Sequence, residues 1–383
     1  MIVPLFCPNP ACPFHNPNRA ARENHNWFQK FGSYRTKSSN KPIQRYLCKH
    51  CRKQFSENTF NISYYSKKMI NYRQLMNCLI SGMSIRAIGR FIGCSPNTVS
   101  RKIDTLGRQT TAFHSRLQKS IILKEAVAAD GFESFVQSQY FPNNFNILVG
   151  KKSQFLYFFN YVQLHRKGRM TEYQKKKAGM LKEILILPEH NQVIQFLELK
   201  RSLTDMVINQ GEMSELDVYT DEKREYRSCI DDGSIPVQLW AREFKITHNT
   251  ICSTKRRTKR NELFPVNYMD REFRKDSAEH RRETTCFARD VNNSVARMSI
   301  YQFYHNYLKA FRINREKEKT VTHADMAGID RDNYRSMMAH LFTKRFFLSH
   351  LELHGHWEKA WHKAYQTPLK RNISYVPGYA LAV

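Results

Sequence analysis

The chain has 383 residues, 41% of them hydrophobic and 25% charged, enough apolar material for packed cores and too much for wholesale disorder. Its 62 Lys and Arg against 34 Asp and Glu leave a net charge of +28, a balance that points to a polyanion, most simply nucleic acid. No run approaches about 18 consecutive apolar residues, so no membrane span is expected. The opening MIVPLFCPNP has no basic stretch followed by a long apolar one, so no secretory leader is expected either. Nine cysteines, an odd count, fit a reduced cytoplasmic chain better than a disulfide scaffold.

The length suggests two to four domains. Charge is uneven along it: residues 1–125 hold 21 Lys and Arg and 4 Asp and Glu, while the remaining 258 residues hold 41 and 30. The positive field is therefore concentrated in the first third, and the acids that could do chemistry lie beyond it.

In chain order, the first motif is a pair of cysteine pairs. Cys7 and Cys12 stand as C-x4-C, and Cys48 and Cys51 as C-x2-C. Two short turns that each present two sulfurs make a tetrahedral zinc site, and a segment this polar needs such a staple. The 35 residues between the pairs have room for a hairpin, with FQKFGSY and IQRYLC as its strands. His15 and His50 are reserve ligands. Four sulfurs close the site, which makes the zinc structural. Tyr46, Arg52, Lys53, Phe55 and Phe60 are expected to decorate this ribbon.

Residues 69–80 carry apolar groups at a helical period. Ser84 can cap a second helix, SIRAIGRFI, which Gly93 ends. Ser95 and Pro96 open a third, as N-cap and first helical residue. Together these predict a helix-turn-helix, with Val99 and Ile103 turned inward. Ser95, Asn97, Thr98, Arg101 and Lys102 are expected on the face that meets base edges and phosphates.

Beyond it, AVAADGF reads as a buried strand that ends by delivering Asp130 to an edge. Strands follow at FNILV (145–149) and FLYFFNYVQLH (155–165), then KEILIL and the helical QVIQFLELKRSLTDMVI. ELDVYTD (215–221) is a second strand that ends in an acid, Asp221. A strand at ICS is expected just after His248, and residues 255–262 form a basic connector. FPVNYMDREFRKD (264–276) reads as a loop entering a helix, with Asp270 at the helix start. Residues 294–312 form a strong helix, 322–365 look helical, and the end is extended. Trp357 and Trp361, four apart, mark a packing or dimer face. Three carboxylates from such elements suit two divalent cations about 4 Å apart acting on a phosphodiester.

Rival motifs fail on their residues. His354-Gly355-His356 has glycine between the histidines and lies at helix ends, no H-E-x-x-H occurs, and VGKKS lacks the upstream glycine of a P-loop.

As an ordered series the chain resembles bacterial insertion-sequence transposases of the zinc-ribbon, helix-turn-helix DDE or DDD type. The resemblance runs through CPNPAC, QRYLCKHCRKQFSENTF, SIRAIGRFIGCSPNTVSRKI, ADGFESF, VYTDEKREY, ITHNTICS, NELFPVNYMDREFRKD, HRRETTCFARDVNN and IYQFYHNYLKAFRI. It implies a multidomain α+β protein: zinc ribbon (1–62), helix-turn-helix (63–120), RNase H-like mixed-sheet α/β catalytic domain (121–312) and helical C-terminal extension (313–383). The family's acids fall on Asp130, Asp221 and Asp270, with Glu272 or Glu283 as alternative third ligands. The implied cofactors are structural Zn²⁺ and catalytic Mg²⁺ or Mn²⁺. The implied partners are double-stranded DNA, as element ends and target, and further copies of the chain in a dimer or larger assembly, in a bacterial, nucleoid-associated setting. His248 would orient a phosphate or water, and Arg257, Lys259, Arg271, Arg274 and Arg282 would bind phosphates, while Asn267 would hold a backbone turn. The alternative is a non-catalytic DNA-binding regulator that keeps the N-terminal third and needs none of the acids.

Overall fold

A computed structural model describes residues 3–383 except 25, 37–38, 209–214, 232–235, 242, 313–320, 371–374 and 382–383. After a short helix α1 (Pro17–Arg22), strands β1 (Phe28–Thr36), β2 (Ser39–Cys48) and β3 (Gln54–Ser56) form an antiparallel three-stranded sheet in that order. The expected hairpin is therefore present. Tyr46, Phe55 and Phe60 do not decorate it: with Phe6 and Trp27 they are its buried core. So small a sheet has no second layer of its own, and its aromatic residues fill the space under the cysteines.

Helices α2 (Tyr72–Ile80), α3 (Ile85–Ile92) and α4 (Pro96–Gln118) follow. Ser84 and Ser95 cap α3 and α4 by accepting from the Ala87 and Thr98 N–H groups, at 3.3 and 3.2 Å. Gly93 ends α3 at φ 70°, a left-handed conformation that glycine takes without steric cost. Helix α4 runs on past the segment expected of a helix-turn-helix. It has 23 residues, and its second half is buried.

The central sheet contains β4 (Val127–Phe135), β5 (Pro142–Gly150) and β6 (Leu156–Gln163), then β7 (Glu215–Asp221) and β8 (Lys245–Ile251), in the spatial order β6-β5-β4-β7-β8. The first three strands are antiparallel neighbours, whereas β4–β7 and β7–β8 are parallel. Every residue of β5 and β6 is buried, as expected of strands covered on both faces. Helices α5 (Glu172–Ile184) and α6 (Asn191–Ile208) connect β6 to β7, and α7 (Arg224–Ile230) and α8 (Val237–Trp240) connect β7 to β8. Helix α9 (Phe264–Asp276) packs on β4 and β5. Helix α10 (Val291–Tyr307) is almost wholly buried and lies along α4. Their contact is close at Gly107, where an added Cβ would fall 2.4 Å from Ala296 Cβ.

The C-terminal region, expected to be broadly helical, is broken into α11 (His323–Met326), α12 (Arg331–His340), α13 (Gly355–His362) and α14 (Gly378–Leu381). Trp357 and Trp361 are buried; their indole N–H groups donate to Gln118 Oε1 (2.6 Å) and the Ala380 carbonyl (2.8 Å). Both therefore pack inside the chain and neither offers a subunit face. The segment after α12 clasps the small sheet: Ile62 N–H donates to the Thr343 carbonyl and Arg345 N–H to the Phe60 carbonyl, each at 2.9 Å. The result is a mixed α+β architecture with a mixed five-stranded sheet. Among the described residues no helix is long and apolar enough to cross a membrane.

Candidate active site

The four cysteines meet. Their sulfurs all lie within 4.8 Å of one another, with Cys7–Cys51 at 3.6 Å and Cys12–Cys48 at 3.8 Å. A tetrahedron with metal–sulfur bonds of about 2.3 Å has edges of about 3.8 Å, so the cluster has the size of a metal site. Burial, with the neighbouring sulfurs, raises the Cys7 thiol and pushes Cys12 up to about 11. Burial also acts to raise Cys51, but hydrogen bonding from the Lys53 backbone and from neighbouring side chains outweighs it and brings this thiol to about 7. Crowded buried thiolates need a cation, and this set could hold zinc. His15 is not a ligand: its ring nitrogens bond the Cys7 carbonyl and Ser349 Oγ, both at 2.7 Å. His50 stands at the edge of Phe14, 5.9 Å between centroids.

On α4, Ser95, Asn97 and Arg101 are exposed and Thr98 half-exposed. Lys102 departs from the expectation. It is buried, with its ammonium 5.5 Å from the Tyr72 ring centroid, and that desolvation lowers it to about 8. The reason is helical period: Lys102 follows the buried Val99 by three residues and precedes the buried Leu106 by four.

The acids are organised by strand register. Val127 pairs with Val218 and Ala128 with Tyr219 in the parallel β4–β7 ladder. Carried two residues further, the same register sets Asp130 beside Asp221, just beyond the last paired rung. Side chains alternate along a strand, so the two carboxylates leave the sheet on one face. Asp130 does not end its strand, as the sequence suggested. It sits within β4, which runs on to Phe135, paired throughout with β5. Asp221 ends β7 as expected.

Lys223 joins the two acids. Its Nζ lies 3.1 Å from Asp130 Oδ1 and 3.3 Å from Asp221 Oδ2. Tyr226 OH donates to Asp130 Oδ1 at 3.3 Å, and the Gly131 N–H donates to the same oxygen at 2.7 Å. Burial alone would lower the ammonium; the charges of Asp130, Tyr226 and Asp221 overcome it and raise it. Burial and the Asp130 charge raise the Asp221 carboxyl. Lys223 and Tyr226 were given no role from the sequence. The available signal was position, two and five residues past the strand-end acid.

Asp270 lies in the second turn of α9, not at its start, because the helix begins at Phe264, six residues earlier, with Pro265 in its first turn. Burial first, then the Asp130 charge, push its carboxyl up to about 7 against the opposing pull of Arg274 and Arg257. Its helix is docked through Phe273, whose ring meets Phe132 at 5.0 Å. Asn267 donates to the Leu263 carbonyl at 2.9 Å and so holds the helix entry, as expected. Glu272 points elsewhere, held by Lys275 at 2.6 Å and by Lys309. Glu283 is exposed on a loop with φ 55°. Among the described residues the four cysteines are the one group of three or more such donors gathered within 4.8 Å; Asp130, Asp221 and Asp270 do not form one, and the Lys223 ammonium bridges the first two.

His248 is a second departure. It lies inside β8 as the rung partner of Val218, and Val218 and Asp221 leave opposite faces of β7. Its ring is engaged on both sides, by Thr220 Oγ1 at 2.8 Å and Asp231 Oδ1 at 2.9 Å. It fixes the strand that carries Asp221 and presents no free nitrogen to the carboxylates. Arg257, Lys259, Arg271 and Arg282 are exposed, with Arg271 5.7 Å from the Tyr268 centroid. Arg274 is half-buried over Phe132 at 4.9 Å, one turn past Asp270.

No known family profile matches the chain. Among solved structures it is similar to a chain of the simian T-cell lymphotropic virus intasome in complex with PP2A regulatory subunit B56 gamma, at TM-score 0.25 and 11% identity, over 67% of this chain and 72% of that one. A likeness at that TM-score carries no argument about fold or function.

Proposed function

We propose that this chain is a DNA transposase that binds the ends of an insertion element and catalyses metal-dependent phosphodiester cleavage and strand transfer. The observation that carries the reading is the placing of Asp130 and Asp221 on one rung and one face, sharing a single cation. Asp270 on α9 senses the charge of Asp130. The sheet supports an RNase H-like reading: three antiparallel strands, two parallel ones beside them, acids on the first and fourth strands and a third on a helix after the fifth.

The donor set fits Mg²⁺ or Mn²⁺: carboxylate oxygens, partly exposed, that already attract an ammonium. Bound there, such ions would supply Lewis-acid stabilisation of the phosphoryl group and activation of the attacking hydroxyl or water. The chain's own residues do the rest. Asp130, Asp221 and Asp270 would hold the ions; Lys223, which bridges the first two carboxylates, would then meet a phosphate, and Tyr226 holds Asp130. Arg257, Arg271 and Arg274 neutralise the DNA backbone near α9. Asn97, Thr98 and Arg101 on α4 contact the element end, and the cysteine cluster takes structural Zn²⁺. Two ends must be cut together, which calls for a dimer or larger assembly.

The test is nicking of a duplex carrying the inverted repeats that flank the reading frame, in Mg²⁺. The wild-type chain is expected to free a 3′-hydroxyl at the repeat, and Asp221→Asn is expected to bind the DNA equally and cut none of it. Binding without cutting by both would leave a DNA-binding regulator.

A further inference from the structure

A cavity of about 730 Å³ opens along β4 from Asp130, roughly 13–17 Å away at about 3.3 Å per strand residue, and is used by nothing described so far. Arg274 connects the two places. It lines the cavity, and its charge acts on the Asp270 carboxyl one helical turn away. Ser134 and Phe135, four and five residues past Asp130 on β4, line the same cavity.

Its walls are mostly apolar and aromatic. Phe135 and Phe287 meet edge to face at 6.4 Å between centroids, and Tyr140 closes another side with Lys177 Nζ 4.8 Å from its ring centroid. The Phe287 loop is pinned there: Ala288 bridges Val136, and its carbonyl accepts from the Gln137 N–H at 2.7 Å. Three lining residues that are not glycine, Gln137, Glu283 and Leu369, hold positive φ of 61°, 55° and 58°. Left-handed backbone at such residues costs energy and persists only where the surroundings impose it, so this rim is built and held. The charged members are four cations, Lys177, Arg274, Arg281 and Arg282, against two acids, the exposed Glu283 and the buried Glu279, which is already paired with Arg297.

Volume and lining match a ligand pocket, typically ~300–1,000 Å³ and mainly apolar with a few polar anchors. The combination of neutral aromatic walls and a cationic rim selects a planar, uncharged ring system tethered to phosphates. We infer that this cavity receives one unpaired nucleobase of the DNA strand whose phosphodiester meets Asp130, Asp221 and Asp270. The base stacks on Phe287 and meets Phe135 edge-on, while Arg274, Arg282 and Lys177 hold the flanking phosphates. This rests on the proposed function for its location, and its test is independent of cleavage.

The probe is a duplex with a short single-stranded 3′ extension carrying 2-aminopurine beside the junction, titrated with the full chain without added Mg²⁺. A second dye at the blunt end reports overall binding by polarisation. Wild-type protein is expected to change the aminopurine emission saturably. Phe287→Ala, half-exposed in the native chain, is expected to weaken that response roughly ten-fold, with polarisation affinity for a blunt duplex unchanged. Phe287→Tyr should retain the response, and Arg282→Ala, an exposed rim residue, should weaken it; thermal melts confirm that each variant is folded. Unaltered aminopurine emission in wild-type complexes, or equal responses from wild type, Phe287→Ala and Arg282→Ala, overturns the inference. A chain that cuts but gives no emission change refutes the base pocket alone. A chain that captures the base but never cuts refutes the transposase reading and supports the pocket.

Discussion

Asp130 and Asp221, 91 residues apart in the chain, fall on one extended rung of neighbouring parallel strands and share the Lys223 ammonium, at 3.1 and 3.3 Å. The ladder between β4 and β7 stops at Ala128 and Tyr219, so the carboxylates emerge where these two strands part, while Asp130 stays paired with Ile147 and Asp221 with Ile251 on their other sides. An ammonium held by two carboxylates is a cation in the place a metal would be drawn to.

Lys223→Met therefore removes a competitor. The variant is expected to bind Mn²⁺ more tightly than wild type, by roughly ten-fold if one charge-assisted contact is relieved. Titration followed by the Mn²⁺ electron-spin signal measures this. Weaker or equal binding would mean that the lysine is not displaced.

Asp221→Asn and Asp130→Asn should each reduce cleavage far beyond the roughly 10–100-fold that loss of a residue supporting a metal ligand costs. Glu272→Gln should leave cleavage intact within a few-fold, because its carboxylate is held by Lys275 and Lys309. A cleavage defect in Glu272→Gln as large as in Asp221→Asn would move the third acid away from Asp270.

Four sulfurs spaced as a tetrahedron should retain one zinc per chain through purification, measurable by elemental analysis. Cys48→Ala, or a chelator, is expected to release it and unfold the small sheet, whose remaining core is the Phe6, Trp27, Tyr46, Phe55 and Phe60 cluster. The loss should appear as faster proteolysis within residues 1–62. A metal-free protein with a protected sheet contradicts the assignment.

At Gly107 α4 comes close to α10, and a Cβ there would stand 2.9 Å from Ala296 Cα as well as 2.4 Å from its Cβ. Alanine is the better helix former, so in an exposed helix Gly107→Ala would stabilise by about 1 kcal/mol. Here the two helices must part, and a net loss of about 1–3 kcal/mol is expected. Denaturant unfolding distinguishes the signs.

Buried histidines set the acid limit of stability. Burial pushes His114 and His323 down to about 4, and His280 and His356 to about 3. The unfolded chain takes up these protons near pH ~6.5 and the folded chain does not, so stability falls as pH drops below that value, by up to about 1.4 kcal/mol per histidine per pH unit. Burial pushes His305 down as well, and the carboxyls that burial raises, Asp205, Asp221, Asp270 and Glu279, work in the opposite direction. The urea midpoint is expected to be lower at pH ~5.5 than at pH ~7.5. An equal or higher midpoint contradicts the burial of these rings.

Much of this arrangement is legible from the sequence because its signals are local. Ser95 and Pro96 announce α4, the alternation in ELDVYTD announces β7, and the cysteine spacing announces the cluster. Where expectation and structure part, a non-local effect decides. An acid in the middle of AVAADGF reads as a strand end, yet β5 goes on pairing with β4 to the Phe135–Pro142 rung. His248 reads as available because parity against β7 is visible only once β8 is registered on it. Lys102 shares the inward stripe with Val99 and Leu106, so helical period, visible in the sequence, decides its place over its charge.

The most direct test of the central claim is anomalous diffraction from crystals of the wild-type chain soaked in Mn²⁺. The account predicts a manganese peak in contact with both Asp130 and Asp221, with the Lys223 ammonium moved off the carboxylates and Asp270 turned toward the ion. Crystals in which manganese binds elsewhere, while Lys223 still bridges Asp130 and Asp221, would contradict it.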